Sequence, residues 1–460
     1  MRHEPIGPRP TPFWVIALLL ASCTQVVVPT PGTISPVDEA PPITASSAPT
    51  EVHSIPTPTP AVVHSPLPPG LVVAYIVPNE LWVWTEGTAR LILQREGIWR
   101  PRLSDDGEWV AFLEETRPPN AIALELAIWV VRTDGTELQR VMGPEDLAAF
   151  AQPDMDLSLD DFDWLPGRTE LLFNTGHAVD GPPGSWPTFD LHLLDLSGHI
   201  TRLAGPGNGG SYFPSPDGRY IAVASNSRIG LIDLEGTGHR TLLDFAPLLM
   251  GCECYYIPHV SWDPQSRFVL TSIPPANMNY PEEYNGEPEQ VWRLSLDGST
   301  QVIAQVAPVH PHNSVLRLAP DLHHFLYLAP AADTCDDASG LYVYDMAHPL
   351  VSAPAHCGWE LPEWTPDSER FVFYLEGQWQ LGNTHDGTTI PLAFLNVPTD
   401  PHIFAPPRIT WIDDMYFMLT LGSSEDCSLS VATLEGIAAH IAVAEPGSCP
   451  SADFALSSGQ

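Results

Sequence analysis

The sequence predicts an all-β fold, a β-propeller built from four-stranded blades. Three observations carry this expectation. A module of short strands and turns recurs along most of the chain, two different turn signals recur in step within each copy, and one spare strand at the C-terminal end matches one missing at the start. A four-stranded module of this size cannot bury both its faces alone, so copies must stack on either side of it.

The clearest copy is 211–245, SYFPSPDGRYIAVASNSRIGLIDLEGTGHRTLLDF. Residues 212–213 predict a short inner strand. Ser215-Pro216-Asp217-Gly218 predicts a tight turn, because Pro presets φ, Asp bonds its own backbone and Gly accepts positive φ. An apolar strand over 220–224, a third over 229–234, a turn at Glu235-Gly236-Thr237-Gly238 and a fourth strand over 240–243 complete the unit. The first turn returns as Ser104-Asp105-Asp106-Gly107, Leu165-Pro166-Gly167, Asp263-Pro264-Gln265, Ala319-Pro320-Asp321, Thr365-Pro366-Asp367 and the degenerate Ile412-Asp413-Asp414, at intervals of 46 to 61 residues. Just ahead of it stand Leu103, Trp164, Pro214, Trp262, Leu318, Trp364 and Trp411. The second turn returns as Thr133-Asp134-Gly135, Leu196-Ser197-Gly198, Leu296-Asp297-Gly298, His385-Asp386-Gly387 and Leu434-Glu435-Gly436.

Complete units are predicted at about 98–141, 160–204, 211–245, 259–306, 314–354, 361–394 and 407–444. The fold opens at Gly70 with three strands only, and 451–456, SADFAL, is left over. Eight blades are therefore expected, the first completed by the C-terminal strand, with seven as the alternative if one weak copy is a long loop. Closure from both chain ends removes free sheet edges.

The pattern W-S-P-D-G-x-x-I-A followed by I-x-L-x-D-L-x-G resembles the PD40 (WD40-like) repeat of TolB-type propellers, over roughly 70–460. The resemblance implies the fold. It carries turn and packing residues only, and function has to be argued from a site.

Ahead of the repeats, residues 1–22 read as a signal peptide, with Arg2 and Arg9 before an apolar run at 13–20 that is too short to span a bilayer. Leu20-Ala21-Ser22-Cys23 resembles a bacterial lipobox, which implies diacylglyceryl transfer to Cys23 and cleavage before it. The acyl chains would anchor the protein to the outer face of the bacterial cell membrane, or facing the periplasm. Residues 23–69 read as the lipidated cysteine and a linker. Positions 24–69 hold twelve prolines and twelve Ser/Thr, a composition that cannot bury a core and favours extended polyproline II. Fully extended, it reaches on the order of 140 Å at ~3.1 Å per residue.

The chain has 460 residues, 44% of them hydrophobic, enough for a large core. Its formal charge is −37, and all 19 basic residues are arginine. Such acidity argues against nucleic-acid backbones and anionic lipid as charge partners. A run of alternating carboxylates, Asp154 to Asp163, offers hard oxygen ligands for calcium. Leu157 and Leu159 interrupt it, and period two suits a strand entering its unit.

Besides Cys23, six cysteines in an exported chain suggest disulfides. Cys335 and Cys357 hold the same two places in their unit as Cys427 and Cys449 do in the last, so Cys335–Cys357 and Cys427–Cys449 are the expected pairs. Cys252 and Cys254 remain, either bridged to each other or open to metal or redox chemistry. His259, His310, His312 and His402 precede inner strands, where loops surround one mouth of a propeller channel, and Tyr255, Tyr256, Trp99 and Trp359 fall in equivalent loops. These are the candidate ligand contacts. His310-Pro311-His312 sets two imidazoles close together and is a candidate divalent-metal pair; no other cofactor is expected. The sequence contains no G-x-S-x-G elbow, H-E-x-x-H, Walker A loop or Rossmann glycine pattern, and no catalytic residue is assigned.

The expected function is thus a non-catalytic, lipid-anchored, extracytoplasmic propeller, monomeric, that binds a protein or peptide. The alternative is a glycan-binding or metal-dependent glycan-cleaving propeller using His259, His310 and His312. A purely structural spacer at the cell surface is a third reading.

Overall fold

The computed structural model describes residues 67–116, 125–150, 157–178, 185–234, 238–249, 255–277, 286–306, 316–330, 339–346, 359–375, 378–395, 408–422, 427–445 and 449–457. Among them, helix is limited to Pro144–Leu147 and one 3-10 turn, Ala393–Leu395. Everything else regular is antiparallel strand, in eight separate sheets.

Each sheet is one blade, and its strands run in order from the channel outward. Blade 1 takes its inner strand, Ser451–Leu456, from the C-terminal end and continues with Leu71–Val77, Glu80–Thr85 and Thr88–Gln94. Leu71 lies opposite Leu456 and Ile76 opposite Ser451, as the spare strand predicted. Blade 2 is Ile98–Leu103, Trp109–Thr116, Glu125–Arg132 and Gln139–Met142. Blade 3 is Leu157–Trp164, Glu170–Ala178, Leu191–Asp195 and Ile200–Ala204, with Ser185–Pro187 added against the far end of its second strand. The acidic run from Asp160 to Asp163 is thus inner strand; 154–156 lie outside the described residues.

Blade 4 is Ser211–Pro214, Tyr220–Ala224, Arg228–Asp233 and His239–Asp244. Blade 5 is Val260–Trp262, Phe268–Ile273, Glu289–Ser295 and Thr300–Val306. Blade 6 shows Arg317–Leu318, His324–Pro330 and Ser339–Asp345 among the described residues. Blade 7 is Trp359–Trp364, Arg370–Leu375, Gln378–Asn383 and Thr389–Pro391. Blade 8 is Arg408–Trp411, Phe417–Gly422, Cys427–Thr433 and Gly436–Ala444.

The core lies between blades, and the strand period explains why. In Tyr220–Ala224, Ile221 and Val223 pack against blade 3, while Ala222 and Ala224 pack against blade 5. Successive side chains point to opposite faces, and both faces are covered, so the strand is apolar throughout instead of alternating. Eight buried clusters join consecutive blades, and the last unites Tyr75 and Trp84 of blade 1 with Met418 and Val431 of blade 8. Eight interfaces for eight blades close the ring and decide against seven.

Two devices repeat at these interfaces. The turn after the inner strand in blades 2 to 7 places one residue at positive φ: Gly107, Gly167, Gly218, Ser266, Leu322 and Ser368. Where glycine is replaced by serine, its hydroxyl accepts the backbone N–H of the preceding blade's turn, Asp217 to Ser266 at 3.2 Å and Asp321 to Ser368 at 2.9 Å. The tryptophan ahead of the turn donates its indole N–H to an inner-strand carbonyl of the preceding blade. Trp164 reaches Arg102 at 2.9 Å, Trp262 reaches Phe213 at 2.7 Å and Trp364 reaches Arg317 at 2.8 Å. Trp411 has its indole nitrogen buried with no hydrogen-bond partner.

Cys427 and Cys449 form the expected disulfide. It ties the third strand of blade 8 to the segment just ahead of the closing strand. Cys23, Cys252, Cys254, Cys335 and Cys357 lie outside the described residues.

Candidate ligand site in the central channel

The inner strands line the channel, and the strand period selects which side chains enter it. Residues one and three before the turn-adjacent position share a face. That face supplies Arg100, Arg102, Arg408 and Thr410 to one cavity, and His259, Ser261, Arg317 and Glu363 to another.

The first cavity, about 570 Å³, lies where blades 8, 1 and 2 meet. Trp99, 38% exposed, stands in it beside Arg100, Arg102 and Arg408. The inner strand of blade 2 bulges between Trp99 and Arg102, and Arg100 takes a φ of 55°. A bulge re-aims side chains, and a non-glycine residue in this region of φ is held there by its surroundings. Arg100 pairs with Asp161 of blade 3, and Arg102 with Asp163 at 3.5 Å. Burial pushes the Asp163 and Asp160 carboxyls up, against the pull of Arg102 and Arg100 respectively. Burial, and then Asp163, push up the Tyr212 hydroxyl in blade 4. On the closing strand, Asp453 accepts the Leu103 N–H at 2.7 Å; burial raises its carboxyl to about 6.

The second cavity, about 380 Å³, lies between blades 5, 6 and 7. Its polar groups are Arg317, His259, Glu363, Tyr256 and two serines, against Leu316, Leu318, Pro320 and Trp364. The His259 ring meets Phe213 edge-on at 4.9 Å. Burial, then Arg317, push its imidazole below the ordinary range, which favours the neutral form. Burial pushes Glu363 up against the pull of Arg317. Behind the cavity, Ser272 donates to the buried Glu289, whose carboxyl burial also raises.

Of the expected contacts, Tyr256 and His259 share this second cavity. Tyr255 stays outside its lining, exposed, in an isolated bridge with Leu249 and tilted against Trp186 at 6.1 Å. Trp99 and Trp359 fall on inner strands, not in loops as expected: the blade 2 strand Ile98–Leu103 starts at the expected unit boundary and already includes Trp99, and the blade 7 strand begins ahead of its expected unit. His310, His312 and His402 lie outside the described residues. Among those described, no group of three or more His, Cys, Asp or Glu side chains could hold a metal.

A further polar network is wholly buried in blade 3. Asp190 accepts the Thr175 N–H at 2.8 Å and its hydroxyl at 2.7 Å, and pairs with His192 at 3.0 Å. The His192 ring stacks on Phe173. These bonds brace the blade, while the other ring nitrogen of His192, Nδ1, is buried without a partner.

The chain is an eight-bladed β-propeller. No protein-family model matches the sequence, and no curated protein matches it. Among solved structures it is similar to the dihydro-heme d1 dehydrogenase NirN in complex with DHE, 11% identical, covering 84% of this chain and 75% of that one, with a TM-score of 0.50. A eukaryotic initiation factor is 12% identical over 89% of this chain and 92% of that one, TM-score 0.48. Dipeptidyl peptidase 4 of Porphyromonas gingivalis is 7% identical over 79% of this chain, TM-score 0.49, and the present chain covers 56% of its length. At these identities the likeness is one of fold.

Proposed function

We propose that this chain is a lipid-anchored, extracytoplasmic propeller of the PD40 type that binds a protein or peptide partner in its channel without transforming it. The observation that carries the reading is the first cavity. An exposed tryptophan beside three arginines, on a molecule of net charge −37, is the composition of an interface anchor and unlike the rest of this surface. The anchoring half of the reading rests on Cys23 and the linker sequence.

Capture in intact cells, followed by mass spectrometry, tests both halves. The chain has no lysine, so the crosslinker must be directed at carboxylates. A reproducible protein partner is expected, with recovery falling about tenfold for Trp99→Ala or Arg408→Ala, the scale of a hot-spot loss. A Cys23→Ser chain should leave the membrane fraction. Recovery of polysaccharide alone would overturn the peptide reading in favour of a glycan-binding propeller.

A further inference from the structure

Acidic residues outnumber basic ones by 56 to 19 in this chain, so an arginine without a partner is unexpected. Among the described residues, nearly every guanidinium carries an ion pair, a hydrogen bond or an aromatic ring. Arg317 and Arg408 have none, and each lines one of the two channel cavities. Arg408 is exposed and water serves it. Arg317 is different: its Nε is buried without a hydrogen-bond partner. An unsatisfied buried donor on a charged group is costly. Its backbone is fixed, since its carbonyl accepts the Trp364 indole N–H at 2.8 Å.

Among the described residues, none pairs with its guanidinium. Glu363 shares the cavity but makes no ion pair with Arg317 among the described residues, and its burial favours the uncharged acid. His259 is biased to the neutral imidazole. The cavity therefore presents a guanidinium whose Nε has no partner, beside the polar groups of His259, Glu363, Tyr256, Ser261 and Ser272 and an apolar wall of Leu316, Leu318 and Trp364. A guanidinium meets a carboxylate with two parallel hydrogen bonds, which suits a single planar anion.

We infer that Arg317 receives the C-terminal carboxylate of an extended peptide, whose last side chain packs on the Leu316, Leu318 and Trp364 wall. This deepens the peptide-binding reading and rests on it. At about 380 Å³ the cavity is at the small end for a ligand site and holds the end of a chain, not a folded surface. The overall charge of −37 repels polyacidic ligands, so one carboxylate on an otherwise uncharged segment is the anion that gains most. Capture of a terminal carboxylate is a recurring mode of peptide recognition.

The test uses the full chain and a library of short N-acetylated peptides with randomised apolar last residues. Each is made once with a free C-terminal carboxylate and once as the amide, and binding is followed by fluorescence anisotropy. The free acids are expected to bind about tenfold or more tightly than the amides, the scale of a charge-assisted pair. Arg317→Gln should erase that preference and Arg317→Lys retain part of it, which separates loss of the contact from loss of the fold. Arg228→Gln, a charge-matched change on the third strand of blade 4, should leave it intact. Equal binding of acids and amides would overturn the carboxylate site and leave peptide binding standing. Persistence of the preference in Arg317→Gln would overturn it too, by placing the carboxylate elsewhere. Binding of neither form would overturn both readings.

Discussion

At the scale of single residues, the informative comparison is between tryptophans that occupy one place in the repeat. Trp262 closes an inter-blade hydrogen bond to Phe213, whereas the Trp411 nitrogen is buried without an acceptor. Both rings bury apolar area, so replacement by phenylalanine costs each a similar packing loss. The polar part differs in sign. Trp262→Phe leaves a carbonyl without its donor, and Trp411→Phe removes a donor that had no partner. Trp262→Phe should therefore destabilise by about 1–2 kcal/mol more than Trp411→Phe. Denaturant titration of the two variants checks this, and equal losses would mean the indole bonds contribute nothing beyond area. The turn residues show a second economy. Ser266 and Ser368 sit where glycine is easiest, and the strain is offset by a hydroxyl that accepts from the preceding blade.

At the scale of elements, the closing strand carries a group whose titration reports on its docking. Asp453 accepts the Leu103 N–H from blade 2, and its carboxyl sits at about 6, raised by burial. Because the folded value lies above the unfolded one, the proton stabilises the fold. That contribution is complete below about pH 4, the ordinary range for aspartate, and is lost as pH rises through about 6. Asp453→Asn keeps an oxygen for Leu103 and removes the charge. It should be the more stable protein at pH 7.5, by roughly 2–3 kcal/mol at most, with the difference shrinking toward pH 4. Parallel melts of wild type and variant across that range decide it; a constant difference would show that Asp453 does not titrate with folding. The strands and turns of these elements are legible in sequence because their signals are local: Pro and Gly at turns, apolar runs between. The bulges in the inner strands of blades 2, 3 and 7 are not, since Arg100, Asp160 and Leu361 look like ordinary strand positions until a partner strand sets the register. The channel face does have a sequence signal. Arg102, Asp163, Ser261, Arg317, Glu363 and Thr410 all stand one residue before the turn-adjacent position, a quieter pattern than the histidines and loop aromatics. Which arginine pairs and which stays bare has no such signal, because that depends on distances between blades.

At the scale of the whole molecule, the described residues hold the ring with eight similar interfaces and one covalent link. Closing the loop between Cys427 and Cys449 stabilises by roughly 3 kcal/mol in the chain-entropy model. The Cys427→Ser, Cys449→Ser double variant should melt several degrees lower, with limited proteolysis cutting first around residues 445–451. An unchanged melting temperature would mean that packing of the closing strand alone fixes the seam. The same seam sets an order in time. Leu71–Val77 is made well before its neighbour Ser451–Leu456, so a growing chain holds one bare strand edge until that strand is made. Contacts so far apart in sequence form slowly. A chaperone thus has a window in which seven blades exist and the circle does not, and docking of Ser451–Leu456 on Leu71–Val77 is the event that shuts it.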